Sequence, residues 1–103
     1  MITATFEYSG EDVVAYEISG HAASDEPGRD LVCAGVSAVS FGITNALIGL
    51  GLDESHIKLA DGYLRVDLAD MDEDMNAIVY ALIVSLETIE REHDEYISVV
   101  MEL

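Results

Sequence analysis

The chain has 103 residues, half of them hydrophobic, and its 21 acidic against 4 basic side chains give a net charge of −17. This length suits one domain around one core, and the apolar fraction excludes a disordered chain. The charge argues against nucleic-acid phosphates and anionic membranes as direct ligands. It is typical either of simple solubility or of attraction to a basic partner.

The N-terminal residues predict a β-hairpin. Residues 2–8 alternate apolar and polar side chains, which is the pattern of a half-buried strand. After a turn, residues 13–19 predict a second strand with Val14, Tyr16 and Ile18 facing inward. This N-terminus lacks the basic and apolar regions of a signal peptide, and a single cysteine permits no intramolecular disulfide. We therefore expect a reducing, cytoplasmic location.

A long apolar run follows a polar loop. Asp30 predicts an N-cap, because its carboxylate can accept backbone N–H bonds from the first turn of a helix over residues 31–50. The run over residues 31–52 is long enough to cross a membrane. It contains polar side chains and four glycines, so a buried or half-buried helix is predicted instead. Gly35 and Gly42 are expected to allow close backbone packing.

The second half of the chain predicts another hairpin and another helix. Residues 56–60 and 63–68 flank Asp61-Gly62, a pair typical of a type I′ turn. Four acids among residues 70–74 then precede apolar side chains at three- and four-residue steps up to Ile89, and the helix is expected to end around residues 92–93. Acids at a helix start and this spacing together predict the clearest amphipathic helix in the chain.

A last strand is predicted over residues 96–101, which gives the order β-β-α-β-β-α-β. This order predicts an α+β fold in a single domain over residues 1–103. We expect a two-layer sandwich with both helices packed on one face of a mainly antiparallel sheet.

Cys33 is the only cysteine and the first candidate for chemistry. A lone cysteine in an apolar helix is commonly a small buried hydrophobe. In the first turn after an Asp30 cap, however, the positive end of the helix dipole would favour its thiolate. His21, at the start of the loop that leads into this helix, could take the thiol proton and later protonate a leaving amine.

Two further polar residues could support such a dyad. Asp30 could orient His21, or it could only cap the helix. Ser37, four residues after Cys33 on the same helical face, could donate to a developing oxyanion. It could also merely bond the carbonyl oxygen of Cys33.

The segment from Ala22 to Arg29 has the composition of a loop, and its part from Ala22 to Gly28 has a hinge glycine at each end, Gly20 and Gly28. Such a loop could cover a bound peptide. The sequence has no second cysteine, no paired histidines at metal-ligand spacing and no glycine-rich phosphate loop. We therefore expect neither a metal nor a cofactor.

Gly20-His21-Ala22, followed by G-x-D-x-V-C-A-G-V-S over residues 28–37, resembles the signature of Prp, the bacterial ribosomal-processing cysteine protease family. The order of hairpins and helices agrees with that family over nearly the whole chain. The resemblance implies a homodimeric peptidase that removes a short N-terminal extension from the twenty-seventh protein of the large ribosomal subunit. It also implies Cys33 as nucleophile and His21 as general base, with Asp30 and Ser37 in support.

A basic ribosomal protein precursor would complement the charge of −17, and electrostatic steering would raise the rate of encounter. One alternative is a non-enzymatic ribosome-assembly or binding protein in which Cys33 is structural. Another is a thiol redox sensor. A protease needs Cys33 and His21 close together beside a peptide groove, whereas a binding protein needs neither and a sensor needs only an exposed thiolate.

Overall fold

The computed structural model describes residues 1–20 and 27–103, with only the backbone described for residues 27–30. Its elements follow the predicted order β-β-α-β-β-α-β, which is confirmed together with the α+β class. They are β1 (Ile2–Ser9), β2 (Asp12–Ser19), α1 (Pro27–Gly49), a 3-10 turn (Glu54–His56), β3 (Ile57–Ala60), β4 (Tyr63–Asp67), α2 (Glu73–Glu92) and β5 (Ile97–Glu102).

The five strands form one sheet in the order β3-β4-β2-β1-β5. Its pairings are antiparallel except that β5 runs parallel to β1, so the sheet is mainly antiparallel as predicted. Alternate side chains of the strands are buried in one core cluster with side chains from both helices. The core therefore lies between the sheet and a layer that contains α1 and α2.

The alternation predicted for β2 is wrong at Val14, which is exposed. The pairing between β1 and β2 shifts register at this point, because Glu7 pairs with Ala15 while the next residue, Tyr8, pairs with Val13. Val14 is thus the extra residue of a β-bulge, which resets the inward and outward phase of the strand. Ala15 is buried in place of Val14.

The turn between β3 and β4 has two residues, as predicted, but it is not of type I′. Ala60 pairs with Tyr63 across Asp61 and Gly62. Gly62 has a φ of 66°, whereas the one non-glycine residue with positive φ in the described ranges is Asp70. Type I′ needs positive φ at both central residues, and Asp61 does not supply it.

Helix α1 begins at Pro27, three residues before the predicted cap. Proline suits the first helical turn, because its fixed φ is helical and its missing N–H is not needed there. Asp30 is consequently the fourth residue of the helix, and its prediction as the N-cap is wrong. Gly28 likewise lies in the first turn of α1 and not at a loop hinge.

One face of α1 packs into the core, which confirms a half-buried helix. Its buried side chains recur at three- and four-residue steps and are those of Val32, Val36, Ser40, Thr44 and Leu47. The segment Leu31–Gly49 is, within the described residues, the one helix long and apolar enough to cross a membrane, a test that core helices also pass.

The helix glycines do not have the packing role that the sequence predicted. A Cβ at Gly35 would lie 3.6 Å from Cδ1 of Ile89, which is an ordinary contact. A Cβ at Gly42 would meet nothing within 4 Å. Neither glycine is therefore required by a close approach of backbones.

Helix α2 agrees closely with its prediction. Asp72 is the N-cap, and its side chain accepts a 2.9 Å hydrogen bond from the backbone N–H of Met75. Glu73 and Asp74 add acids to the first turn, where the helix dipole stabilises them. The helix ends at Glu92 with His93 as its C-cap, close to the predicted end.

A buried hydrogen-bond chain ties α1 to β2. The Tyr16 hydroxyl lies 2.6 Å from Oγ1 of Thr44, and Oγ1 of Thr44 donates to the carbonyl oxygen of Ser40 at 2.8 Å. Because Thr44 uses its proton on Ser40, Tyr16 is the donor in the first bond. Burial raises the pKa of Tyr16 to about 12, because the ionised phenolate would lose its hydration in the core.

The polar face of the sheet is organised around Arg65 on β4. Nη1 of Arg65 lies 2.6 Å from Glu7 on β1, and 3.7 Å from Glu17 on the intervening strand β2. Nη2 lies 3.2 Å from Asp67. Hydrogen bonding to Arg65 lowers the pKa of the Glu7 carboxyl. One guanidinium therefore links three strands through three acids.

We predict that Arg65→Met lowers the free energy of unfolding at neutral pH by on the order of 1 kcal/mol. The folded-state pKa of Glu7 is depressed, so the stability that it contributes is present above its ordinary value of 4.5 and is lost as the pH falls through the folded value. Urea unfolding should show the difference between the two proteins shrinking below pH 4.5. Lys58→Met removes the same charge from an exposed position and is the control. The prediction would be contradicted if wild type and Arg65→Met differed by the same free energy of unfolding at neutral pH and below pH 4.5.

We also predict that Tyr16→Phe lowers the free energy of unfolding by about 1 kcal/mol, because a buried donor is removed. Tyr16 has a raised pKa, so its contribution is complete below the ordinary value of 10 and is lost as the pH rises towards about 12. The deficit of the variant should therefore shrink over that range in chemical denaturation. Tyr80→Phe, at an exposed position on α2, should change stability little at any pH. Equal losses in the two variants would refute the role of the buried bond.

Candidate active site

Cys33 is the seventh residue of α1 and lies in its second turn, not in the first turn as predicted. The cause is the early start of the helix at Pro27. The effect of a helix dipole on a charge falls off within the first turn. Cys33 therefore lies beyond the turn in which the helix start acts most strongly on a charge. The side chain is half-buried and not sealed in the core.

Cys33 lines a cavity of about 280 Å³. On one side the cavity is bounded by α1, on another by the ends of β1 and β2, and on a third by the β3–β4 hairpin. Its lining residues are Ile2, Ile18, Gly20, Cys33, Val36, Ser37, Ser40, Phe41 and residues 60–64. The cysteine thus faces a recess large enough to admit part of a peptide.

Gly20 closes the end of β2 at this cavity and has to be glycine. Its φ is 118°, and a Cβ there would collide with the carbonyl oxygen of Met1. Its backbone N–H donates to the carbonyl oxygen of Gly62 at 3.0 Å, which joins the strand end to the β3–β4 turn. The chain therefore leaves the sheet at a fixed point on the cavity wall, and the next residue in the sequence is His21.

Of the predicted site residues, the structure brings Cys33, Ser37 and Gly20 together around one cavity. Ser37 is exposed one turn after Cys33 on the same helix. His21 and Ala22 lie outside the described residues, so the structure gives no distance between His21 and Cys33. Asp30 is placed by its backbone in α1, one turn before Cys33, without a described side chain.

The sequence did not reveal the wall opposite Cys33. The hairpin residues 60–64 were predicted as a turn and strand, but no local pattern indicates that they line the same cavity as α1. Asp61 in this turn adds a carboxylate to the cavity lining. Ser40 was also missed: it is buried, and its Oγ has no hydrogen-bond partner within the described part of the chain.

Among the side chains that the structure describes, those of residues 1–20 and 31–103, no group of three or more histidines, cysteines or acids is arranged to hold a metal ion. The polar residues that line the cavity include Cys33, Ser37 and Asp61. These groups are suited to nucleophilic attack and hydrogen bonding.

Residues 1–98 match the family model described as cysteine protease Prp. The ribosomal processing cysteine protease Prp of Staphylococcus aureus strain Mu50 is 41% identical over 94% of this chain and 95% of its own. The protein of the same name from Bacillus subtilis is 37% identical over 96% of each chain.

Solved structures of the S. aureus protease have the same fold. Its complex with a substrate peptide gives a TM-score of 0.87 at 36% identity, and covers 99% of this chain and 100% of that one. Its complex with a covalently linked product peptide gives 0.86 at 37% identity with the same coverage. Because sequence and fold both match over nearly their full lengths, this chain belongs to the Prp family of cysteine proteases.

Proposed function

We propose that this protein is an endopeptidase that removes a short N-terminal extension from the twenty-seventh protein of the large ribosomal subunit during ribosome maturation. The observation that carries the proposal is the half-buried Cys33 on the wall of a cavity of about 280 Å³. Relatives named as ribosomal processing proteases support the substrate class. The S. aureus relative bound to a substrate peptide supports a peptide ligand.

In the proposed mechanism, His21 takes the proton of the Cys33 thiol, and the thiolate attacks the scissile carbonyl carbon. The tetrahedral intermediate collapses, the C–N bond breaks, and His21 returns the proton to the leaving amine. Water then hydrolyses the thioester and releases the extension. The S. aureus relative with a covalently linked product peptide supports such a covalent route.

Ser37 and Asp30 have supporting roles in this proposal. Ser37 is exposed beside the cavity one turn after Cys33, where its hydroxyl can donate to the developing oxyanion. Asp30 precedes Cys33 by three helical positions, which places both on neighbouring parts of one face. Because α1 begins before Asp30, the capping alternative is removed and the orientation of His21 is the role that we propose.

Charge supports a basic substrate. The chain carries a net charge of −17, and Asp61 contributes a carboxylate at the cavity itself. The same charge supports a protein that does not bind nucleic acid directly and that acts away from anionic membranes. From the family resemblance we further propose a homodimer in the cytoplasm. Sedimentation at micromolar concentration measures the oligomeric state, and a monomer there would refute the dimer.

We predict that Cys33→Ala abolishes release of the extension from the ribosomal precursor, with a loss of at least about a thousandfold in kcat/KM. Cys33→Ser should fail as well, because a hydroxyl is much harder to deprotonate than a thiol. His21→Ala should lose nearly as much, and the double variant hardly more, because the two groups act as one unit. Mass spectrometry of the precursor measures the cleavage.

The control for these variants is Thr88→Ala on α2, whose exposed hydroxyl donates to the carbonyl oxygen of Val84 in its own helix. It should cleave at the wild-type rate. Full activity in Cys33→Ala would show that the thiol is not the nucleophile and has only a structural role. It would favour the alternative of a non-enzymatic assembly or binding protein.

We predict, secondly, that kcat/KM for the precursor falls as salt is added while kcat changes little. Raising the ionic strength from about 0.01 M to about 1 M shortens the Debye length from about 30 Å to about 3 Å, which removes long-range steering. A precursor peptide with its basic residues replaced by glutamine should show a much weaker dependence. Identical salt profiles for the two peptides would show that the acidic surface does not attract the substrate.

A further inference from the structure

A second recess lies at the other end of the sheet from Cys33, and the proposed mechanism does not use it. This hairpin recess has a volume of about 340 Å³ and lies between the β1–β2 hairpin and α2. Its lining residues are Tyr8, Glu11, Asp12 and Val13 from the hairpin, and Asn76, Val79, Tyr80 and Ile83 from α2. The four helix residues occupy positions i, i+3, i+4 and i+7, so they share one face of α2.

The helix side of the hairpin recess combines an apolar wall with an exposed aromatic ring. Val79 and Ile83 are almost fully buried, so they form the inner part of the wall. Tyr80, by contrast, is 68% exposed. Much of its ring is therefore available to a ligand that enters the recess.

The two acids at the hairpin recess are not neutralised by the protein itself. Glu11 and Asp12 are exposed, and within the described part of the chain neither carboxylate forms an ion pair or a hydrogen bond. The acids on the outer face of the sheet differ, because Arg65 engages three of them. A basic ligand at the recess would therefore meet two uncompensated negative charges.

These surroundings suit the side chain of an arginine. Its methylene stem can pack against Val79 and Ile83, as the stems of long basic side chains do on apolar surface. Its guanidinium can stack on the ring of Tyr80 and donate to a carboxylate of Glu11 or Asp12. Lysine would supply the charge, but it lacks the flat surface for stacking and the paired donors. An acidic side chain would be repelled.

The hairpin recess is remote from the scissile bond. Strand β1 runs from Ile2, which lines the active-site cavity, to Tyr8, which lines the recess. Six strand steps correspond to about 20 Å. An extended polypeptide needs at least about six residues to cover that distance. A substrate that occupies both places therefore reaches the recess with its body and not with the residues that flank the cleaved bond.

On the basis of the proposed function, we propose that the hairpin recess is an exosite for an arginine in the body of the basic substrate, at least about six residues from the scissile bond. The exosite raises the affinity for the whole precursor, because it adds a second point of attachment. It binds the substrate and the transition state equally, so it lowers KM and leaves kcat unchanged. Tyr80, Glu11 and Asp12 are its binding residues.

The first test compares cleavage of the whole precursor with cleavage of a short peptide that ends before about the sixth residue after the scissile bond. Tyr80→Ala should raise KM for the precursor by about two- to fivefold, the range of an exposed cation–π contact, with kcat unchanged. Tyr80→Phe retains the ring and should retain the wild-type KM. Both variants should cleave the short peptide as wild type does, which also shows that they are folded. An unchanged KM for the precursor in Tyr80→Ala would overturn the inference.

The second test concerns the carboxylates. Glu11→Gln combined with Asp12→Asn should raise KM for the precursor by about two- to tenfold, the range of two exposed ion pairs, and should weaken its dependence on salt. Asp94→Asn combined with Glu95→Gln removes the same two charges from exposed positions outside the recess and is the matched control. Equal changes in the two proteins would show that only net charge acts, and would overturn the inference.

Binding measurements separate this inference from the proposed function. The probe is the precursor body without its extension and cleavage site, titrated by calorimetry into Cys33→Ala with and without Tyr80→Ala. Weaker binding without Tyr80, and weaker binding of a probe whose arginines are replaced by glutamine, support the exosite even if no precursor is cut. In that case only the proposed function fails.

Two results of these measurements overturn the exosite alone. One is equal binding of the probe with and without Tyr80→Ala. The other is a change in sedimentation caused by Tyr80→Ala, which would assign the hairpin recess to a contact between copies of this chain.

Discussion

The structure depends above all on how α1 is held against the sheet. Its buried row ends in Thr44 and Leu47, and Thr44 accepts the hydroxyl of Tyr16, which is fully buried on β2. Apolar contacts alone would let a helix slide along a sheet, whereas a buried hydrogen bond fixes both its height and its rotation. Cys33 lies on the same helix as Thr44. The hydrogen bond between Tyr16 and Thr44 therefore also helps to fix the position of Cys33 at the cavity.

The two faces of the sheet differ in polarity and in what they contact. The inner face is apolar and carries the helices, while the outer face gathers three acids around Arg65. In a chain with 21 acids and 4 bases, such clustering reduces repulsion where strands bring acids close together. Arg65 thus offsets part of the acidic charge on the outer face. Asp61 is an acidic residue in the lining of the cavity.

Local patterns predicted the elements well where one physical signal dominated. The acids before α2, its apolar spacing and the alternation of β1 each agree with the structure. Errors arose where a second effect competed with the first. Alternation predicts that Val14 faces inward, but a β-bulge shifts the phase of the strand. The polar-to-apolar change at Asp30 predicts an N-cap, but the helix already begins at Pro27.

At the candidate site, too, the sequence indicated some residues and missed others. The sequence singled out Cys33 and Ser37, because a thiol and a hydroxyl one turn apart are visible in a linear pattern. It could not indicate that the β3–β4 hairpin would face them, since that contact depends on the order of strands in the sheet. It also could not indicate Ser40, because what distinguishes this hydroxyl is that it is buried without a hydrogen-bond partner among the residues that the structure describes.

The parallel pairing of β1 with β5 has a consequence for how the protein is made. Ile2 pairs with Ile97, so the strand synthesised first gains one of its two neighbours only when the C-terminal strand has been translated. Contacts of such long range are slow to form, and until then one edge of β1 remains open to other chains. The sheet that supports Cys33 is therefore complete only after β5 has been made. A nascent chain that stops short of Ile97 carries β1 with an unpaired edge.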